Sequence, residues 1–314
     1  MFRLRLVPDD TKIPFMRGRH AGLIVSALLS IASVVLFFYP GLNYGIDFRG
    51  GIVIEARTPA PADFGQLRHT LNALNMGQVA LQEFGSPQDV LIRLERQPGD
   101  DAAQQVAADK VRATLAKEIP GTTVRRVEAV GASVSSELFF NGMLALGLAA
   151  VAMLIYIWFR FEWQFGVGAV VTMLLDVTKI VGFYAVTGMQ FNLTAIAAIL
   201  TIMGYSINDK VVVYDRMREN LRIYKKMPLR ELIDRSINET LNRTLGTSMC
   251  TLLSIIPLAL FGGEALQDFG LVLIFGIFLA TSSSIFIAAP ILLFLGENRL
   301  RRGAPVEAAP AATP

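Results

Sequence analysis

The sequence is poor in the residues that most soluble enzymes rely on. It has one cysteine and two histidines in 314 residues. A lone Cys250 cannot build a disulfide framework and reads as a small apolar packing residue. With only His20 and His69 there is no Cys/His metal cluster, and His69 reads as a surface residue. HExxH and GxxxxGK[ST] are both missing. GYSIN at 204–208 falls short of a nucleophile elbow: the final glycine is absent, and so is a histidine base in the apolar stretches. Charged residues are scarce at 18%, and the net charge is +3. No basic stripe interleaved with aromatics points to nucleic acid. Neither an enzyme activity, a cofactor nor a metal is expected.

Apolar sequence is abundant instead: 53% of residues are hydrophobic, and mean hydropathy is +0.48. Six runs are long enough to cross a bilayer, at 20–39, 138–159, 166–187, 191–213, 243–261 and 268–293. The first lacks a small-residue cleavage site and ends in FFYPGLNYG, so it reads as an uncleaved anchor. Basic residues orient the spans. Arg3, Arg5, Lys12, Arg17 and Arg19 precede the first, placing segment 1–19 in the cytoplasm. Six spans then put Arg160, the loop 214–242 with its seven basic residues, and Arg299, Arg301 and Arg302 on the same side. The outside turns 187–191 and 262–268 carry no Lys or Arg. Both termini are therefore expected to be cytoplasmic.

Residues 40–137 form the one sizeable polar segment, with 10 basic and 12 acidic residues. Alternation marks strands at 51–57, 78–84, 89–95 and 123–131, and helical spacing marks helices at 61–74 and 101–119. The order βαββαβ predicts an inserted α+β, ferredoxin-like external domain. Val53, Leu67, Leu71, Leu81, Ile92, Val106 and Leu115 are its expected core. In the loop 214–242, Leu229, Leu232, Ile233, Ile237 and Leu241 predict a short amphipathic interfacial helix starting at Pro228. Residues 138–302 complete the membrane domain, and the Pro/Ala-rich tail 303–314 is expected to be disordered.

Few ionisable residues fall within the spans, and each is a functional candidate, because a charge at mid-bilayer costs about 2.5–3.5 kcal/mol on insertion scales. Asp209 shares a helix face with Tyr205, Ser206 and Ile202, whereas Lys210 points about 100° away. Asp176 and Lys179 are spaced to pair with each other, the bland reading of both. Arg243 opens the fifth span, where snorkelling is its ordinary fate. Ala280, Ser284 and Ala288 recur every fourth residue and read as a packing stripe.

Several long motifs carry a resemblance. FNLTAIAAILTIMGYSINDKVVVYDRMRENLR (191–222), MPLRELIDRSINETLNRT (227–244), LFGGEALQDFGLVLIFG (260–276) and SSSIFIAAPILL (282–293) follow GLNYGIDFRGG (41–51) in order. Together they resemble the SecF branch of the SecD/SecF protein-export family, in the RND superfamily. The resemblance implies an RND-type half of six helices and a SecD partner supplying the other half. It also implies action with the SecYEG translocon on preproteins, driven by the proton motive force across the bacterial inner membrane. The family's proton-pathway carboxylate falls on Asp209, its span 5 arginine on Arg243 and its span 3 aspartate on Asp176, with Tyr205, Ser206 and Asn208 beside them. Asp47, Gly50 and Gly51 match its segment after the first span. Two positions depart: Lys210 replaces a small hydroxyl residue, and Leu175 stands where histidine is frequent. By proximity, Lys210 is expected to hold Asp209 ionised unless it snorkels. A proton-driven exporter of lipids or small molecules on the same fold is the main alternative. An aspartyl protease using Asp176 and Asp209 lacks a GxGD motif, and a pure scaffold leaves Asp209 unexplained.

Overall fold

The computed structural model describes residues 7–8, 11–84, 86–99 and 101–295. Arg3, Arg5, Arg299, Arg301, Arg302 and the tail 303–314 lie outside the described residues. A 3₁₀ turn (Phe15–Arg17) leads into α1 (Arg19–Phe38), β1 (Asn43–Tyr44), α2 (Ile46–Arg49) and β2 (Gly51–Arg57). Next come α3 (Phe64–Asn72), β3 (Val79–Phe84), β4 (Ser86–Leu94), α4 (Asp101–Glu118) and β5 (Thr123–Val130). The long helices follow: α5 (Ala132–Arg160), α6 (Trp163–Thr187), α7 (Leu193–Ile223), entered through β6 (Gln190–Phe191), and α8 (Leu229–Phe261). The last is α9 (Glu264–Ser283), which widens into a π turn at Ser284–Ala288 before α10 (Ala289–Leu295). Two compact units result: Asn43–Leu146 with Gln190–Ile196, and the remaining described residues.

In the first unit the sheet order is β3-β4-β2-β5, antiparallel throughout. That is the order expected of a βαββαβ chain whose two crossovers place both helices on one face. Asp63 caps α3 by accepting hydrogen bonds from the Gly65 and Gln66 backbone amides. Strand alternation sends Ile52, Ile54 and Ala56 with Val90, Ile92 and Leu94 into the core, where Leu67, Leu71, Val111 and Leu115 cover them. Two expected core positions are corrected. Val53 lies one residue out of register with Ile52 and Ile54, on the other sheet face. Val106 is 67% exposed, because the buried face of α4 is drawn by Ala107, Ala108, Val111 and Leu115. Leu81 is packed against the core but only partly buried.

At the start of β4, Asp89 accepts two hydrogen bonds from Arg57 at 2.8 Å, one from Ser86 at 2.8 Å, and pairs with Arg125 at 3.3 Å. The Arg57 fork and the other donors hold its carboxyl below the usual carboxylate range, against the opposing effect of desolvation.

Six helices among the described residues are long and apolar enough to cross a membrane. Burial sorts them: the apolar windows of α6, α7 and the α9–α10 helix are 50%, 56% and 61% buried, those of α1, α5 and α8 only 17%, 6% and 22%. Charged groups can therefore be enclosed on the first three. Cys250 is exposed on α8 rather than packed. The stretch 214–242 also differs from expectation, because it extends two long helices instead of forming a separate interfacial one. Polar bonds zip the extensions together. Asn220 donates to Ser236 (2.9 Å) and Glu239 (2.7 Å), and Arg216 donates to Glu239 (2.8 Å). The amphipathic face of Leu229, Leu232, Ile233 and Ile237 is buried within the chain, leaving no apolar stripe for a lipid surface.

Leu71→Ala should destabilise the excised 43–131 segment by about 2–5 kcal/mol. Val106→Ala should stay within about 0.5 kcal/mol in the same urea titration. Equal effects would place the α4 face wrongly. Asp89 supplies a pH test. Because its folded-state pKa is depressed, its stabilisation is present above the unfolded value of about 3.9 and is lost as pH falls through the folded value. Asp89→Asn should therefore lower the melting temperature at pH 7, and the gap should close as the solution is acidified through and below pH 4.

Candidate functional site

Among the described residues four charged side chains are enclosed by the membrane helices: Asp176 and Lys179 on α6, Asp209 and Lys210 on α7, none more than 5% exposed. Burying such groups is tolerated only when each finds compensation. Asp176 finds it across helices. Its Oδ2 accepts from Lys210 Nζ at 3.0 Å, from Ser206 Oγ at 2.8 Å and from Ser283 Oγ at 2.8 Å. The expected Asp176–Lys179 pair is not made. Lys179 instead donates to Ser26 of α1 at 2.8 Å, while α7 and α9 enclose Asp176. Spacing along one helix permits a pair, but a neighbouring helix offered the closer partner.

Asp209 lies one residue from Lys210 and so faces elsewhere. Its Oδ2 accepts from Ser284 Oγ, in the first residue of the π turn. The buried Thr244 hydroxyl of α8 stands beside it without completing a hydrogen bond. No ion pair to Asp209 occurs among the described residues. Ser283 and Ser284 thus serve the two carboxylates in turn, and the widened backbone of the π turn starts at that point. Reading Ser284 as part of a packing stripe does not reveal this role of the two serines. The signal was there in the TSSS run at 281–284, polar residues inside an apolar helix.

Other expected residues are placed differently. Ser206 supports Asp176 rather than Asp209. Tyr205 shares a hydrogen bond of 2.7 Å with Ser248, which continues to Thr281 at 2.9 Å. Asn208 is exposed, a helical step away from Asp209. Arg243 is exposed on α8, and it is the next residue, Thr244, that turns inward. Lys210 does not snorkel: it is fully buried and bonded to Asp176. An aspartyl dyad needs two carboxylates sharing a proton. Here Asp176 and Asp209 keep separate partners, and Asp215 is engaged by Arg160 at 2.6 Å.

The Asp47 segment is built around the start of α7. Asn43–Tyr44 pairs in parallel with Gln190–Phe191, and Asp47 Oδ2 accepts the Leu193 amide at 3.0 Å. Asn192 caps the same helix through the Ala195 amide at 3.0 Å. A carboxylate at this end also favours the helix dipole. Tyr44, Phe48, Phe139 and Phe191 pack edge-on or tilted around the clamp, with centroids 5.4–6.5 Å apart. Two glycines let the chain turn from α2 into β2. Gly50 sits at φ 70°, ψ 174°, a region open essentially only to glycine. At Gly51, φ is 123° and a Cβ would lie 2.7 Å from the Leu94 carbonyl oxygen.

Comparison with known proteins matches these two regions separately. Residues 110–298 match the family described as protein export membrane protein SecD/SecF, C-terminal, and residues 35–58 match the SecD/SecF GG motif. The protein translocase subunit SecF of Rhodobacter capsulatus is 42% identical over 310 residues, covering 95% of this chain and 93% of the relative. The chain belongs to the SecD/SecF family. The protein translocase subunit SecDF of Brucella abortus is 45% identical over 295 residues, 94% of this chain but 38% of the relative. The crystal structure of SecDF from Thermus thermophilus, a translocon-associated membrane protein, superposes with a TM-score of 0.83 at 34% identity. It covers 94% of this chain and 40% of that one, so this chain spans well under half of the fused SecDF proteins. Membership and the six apolar helices together make this a multi-pass membrane protein.

For the SecD/SecF family's GG motif the geometry gives a physical reason. The first glycine occupies a conformation closed to side chains, and the second lies against a strand carbonyl. Gly51→Ala should cost at least about 1–3 kcal/mol of backbone strain, lowering the melting temperature of the purified chain. A variant as stable as the parent would refute that account.

Proposed function

We propose that this chain is the SecF-type subunit of a Sec protein translocase. With SecD and the SecYEG translocon it uses the proton motive force to assist preprotein translocation across the bacterial inner membrane. It acts as an auxiliary, non-enzymatic subunit. Both termini and the turn at 224–228 face the cytoplasm, and the α/β unit faces the periplasm. The 42% identity to chains named SecF, over nearly their whole length, supports the subunit assignment. The fused SecDF relatives support a SecD partner. The orientation rests on the basic residues of 214–242 and their absence from 187–191 and 262–268.

One observation carries the coupling. Of the two carboxylates enclosed among the described membrane helices, Asp176 is paired with Lys210, whereas Asp209 has a hydroxyl donor and no ion pair. With Asp209 ionised, the two aspartates and two lysines balance. A proton on Asp209 leaves the enclosure with one net positive charge. The Asp209–Ser284 bond then changes character, and α7 and the π turn repack between two arrangements. Because α7 begins at the Asp47 clamp, its displacement acts on that segment. Arg243 and Asp176 belong to the proton pathway, Asp176 as the fixed charge. Each proton crossing 100 mV supplies about 2.3 kcal/mol, enough to bias such a switch but requiring many cycles to move a polypeptide.

Asp209→Asn keeps shape and removes titration. It should co-purify with its partner yet lose proton-gradient stimulation of preprotein translocation into membrane vesicles, with an impermeant thiol label at residue 226 confirming the cytoplasmic face. Stimulation equal to the parent would reduce Asp209 to a packing residue.

A further inference from the structure

The Lys210 ammonium sits in a shell of oxygens that the proposed proton coupling at Asp209 does not use. Four lie within hydrogen-bond distance: Asp176 Oδ2 at 3.0 Å, Ser283 Oγ at 3.3 Å, the Ser206 carbonyl at 3.4 Å and Ser206 Oγ. A carboxylate, two hydroxyls and a carbonyl are the ligands that replace the water shell of a small hard cation. The enclosure is complete, with Lys210 fully buried and Ser206 and Ser283 at 1% and 0% exposure. Asp176 adds a second feature. Its Oδ1 is buried and has no hydrogen-bond partner, so the carboxylate retains an unused acceptor inside the enclosure. An ammonium has three protons to share among these oxygens and no lone pair, so it fills the shell as a point charge on a tether.

We propose that the Lys210 side chain is a built-in cation occupying a monovalent-cation cage formed by Asp176, Ser206 and Ser283, and that it thereby bars sodium from this membrane core. A lysine cannot leave, so the Asp176 position is permanently neutralised and does not exchange ions. Where the residue at this position is small, the same carboxylate and hydroxyls are left with a buried negative charge that an exchangeable cation must offset. Lys210 is in this sense an ion-specificity determinant. The inference deepens the proposed coupling by assigning its ion: sodium is excluded at Asp176, leaving Asp209 to exchange protons.

The test is thermal unfolding of the purified full chain in detergent at pH 8, comparing sodium with choline chloride at equal ionic strength. Lys210→Thr removes the tethered charge and leaves Asp176 without its ion pair. It should melt below the parent in choline and gain about 3 °C or more in sodium. The parent should shift by less than about 1 °C. Lys210→Thr with Asp176→Asn removes both charges and should fold in either salt without a sodium response. If Lys210→Thr yields folded protein only in sodium, that also supports the cage. No sodium-specific gain, loss of folded protein in both salts, or an equal gain in the parent overturns it. The readout involves no export. A failed sodium response beside an export-dead Asp209→Asn removes the cage and leaves the coupling standing, and the reverse pairing removes the coupling alone.

Discussion

The interaction on which the membrane core depends is the ion pair between Asp176 and Lys210. Two unit charges enclosed among apolar helices are tolerable only because they meet at 3.0 Å and because Ser206 and Ser283 satisfy the same oxygen. That requirement sets the packing order. α6, α7 and α9 must approach closely enough for an aspartate, a lysine and two serines to converge, and these are the helices with the deepest burial. α1 joins them through Ser26, which receives Lys179, and through Ser30 and Ser33 on the same face. Small residues there allow the close approach that long apolar side chains would prevent.

Asp209 is the complement of that pair. In an α-helix, adjacent residues point about 100° apart, so Asp209 and Lys210 cannot serve one partner. The neighbouring Ser283 and Ser284 divide in the same way, one toward each carboxylate. The result is one neutralised acid on α6 and one acid on α7 left with a hydroxyl donor. A group of that second kind changes the charge of its surroundings when it gains or loses a proton, and the paired group beside it provides a fixed reference.

The α/β unit obeys different physics. Its stability comes from an apolar face of alternating strand residues covered by two helices, supplemented by the Arg57–Asp89–Arg125 cluster at one sheet end. What links its sequence to the membrane chemistry is the stretch from β1 to β2. There two glycines permit a turn that no other residue adopts, and Asp47 closes the first turn of α7.

The sequence by itself determined the class and order of the elements. Spans of the required length, the βαββαβ pattern and most of the core, including Leu67, Leu71, Ile92 and Leu115, follow from periodicities that depend only on neighbours along the chain. It also singled out Asp209 and Asp176, since an ionisable residue in an apolar run is conspicuous without any structure. Tertiary structure alone decided the partners. Asp176 and Lys179 were placed to pair, yet Lys210 and Ser283 arrived from other helices and took the aspartate. Arg243 pointed outward and Thr244 inward, a distinction of one residue set by how α8 is rotated. The segment 214–242 became two helix extensions because Asn220, Arg216 and Glu239 bridge them. Periodicity fixes which residues share a face, whereas the rotation and approach of separate helices depend on side chains distant in sequence, and those choose the pairs.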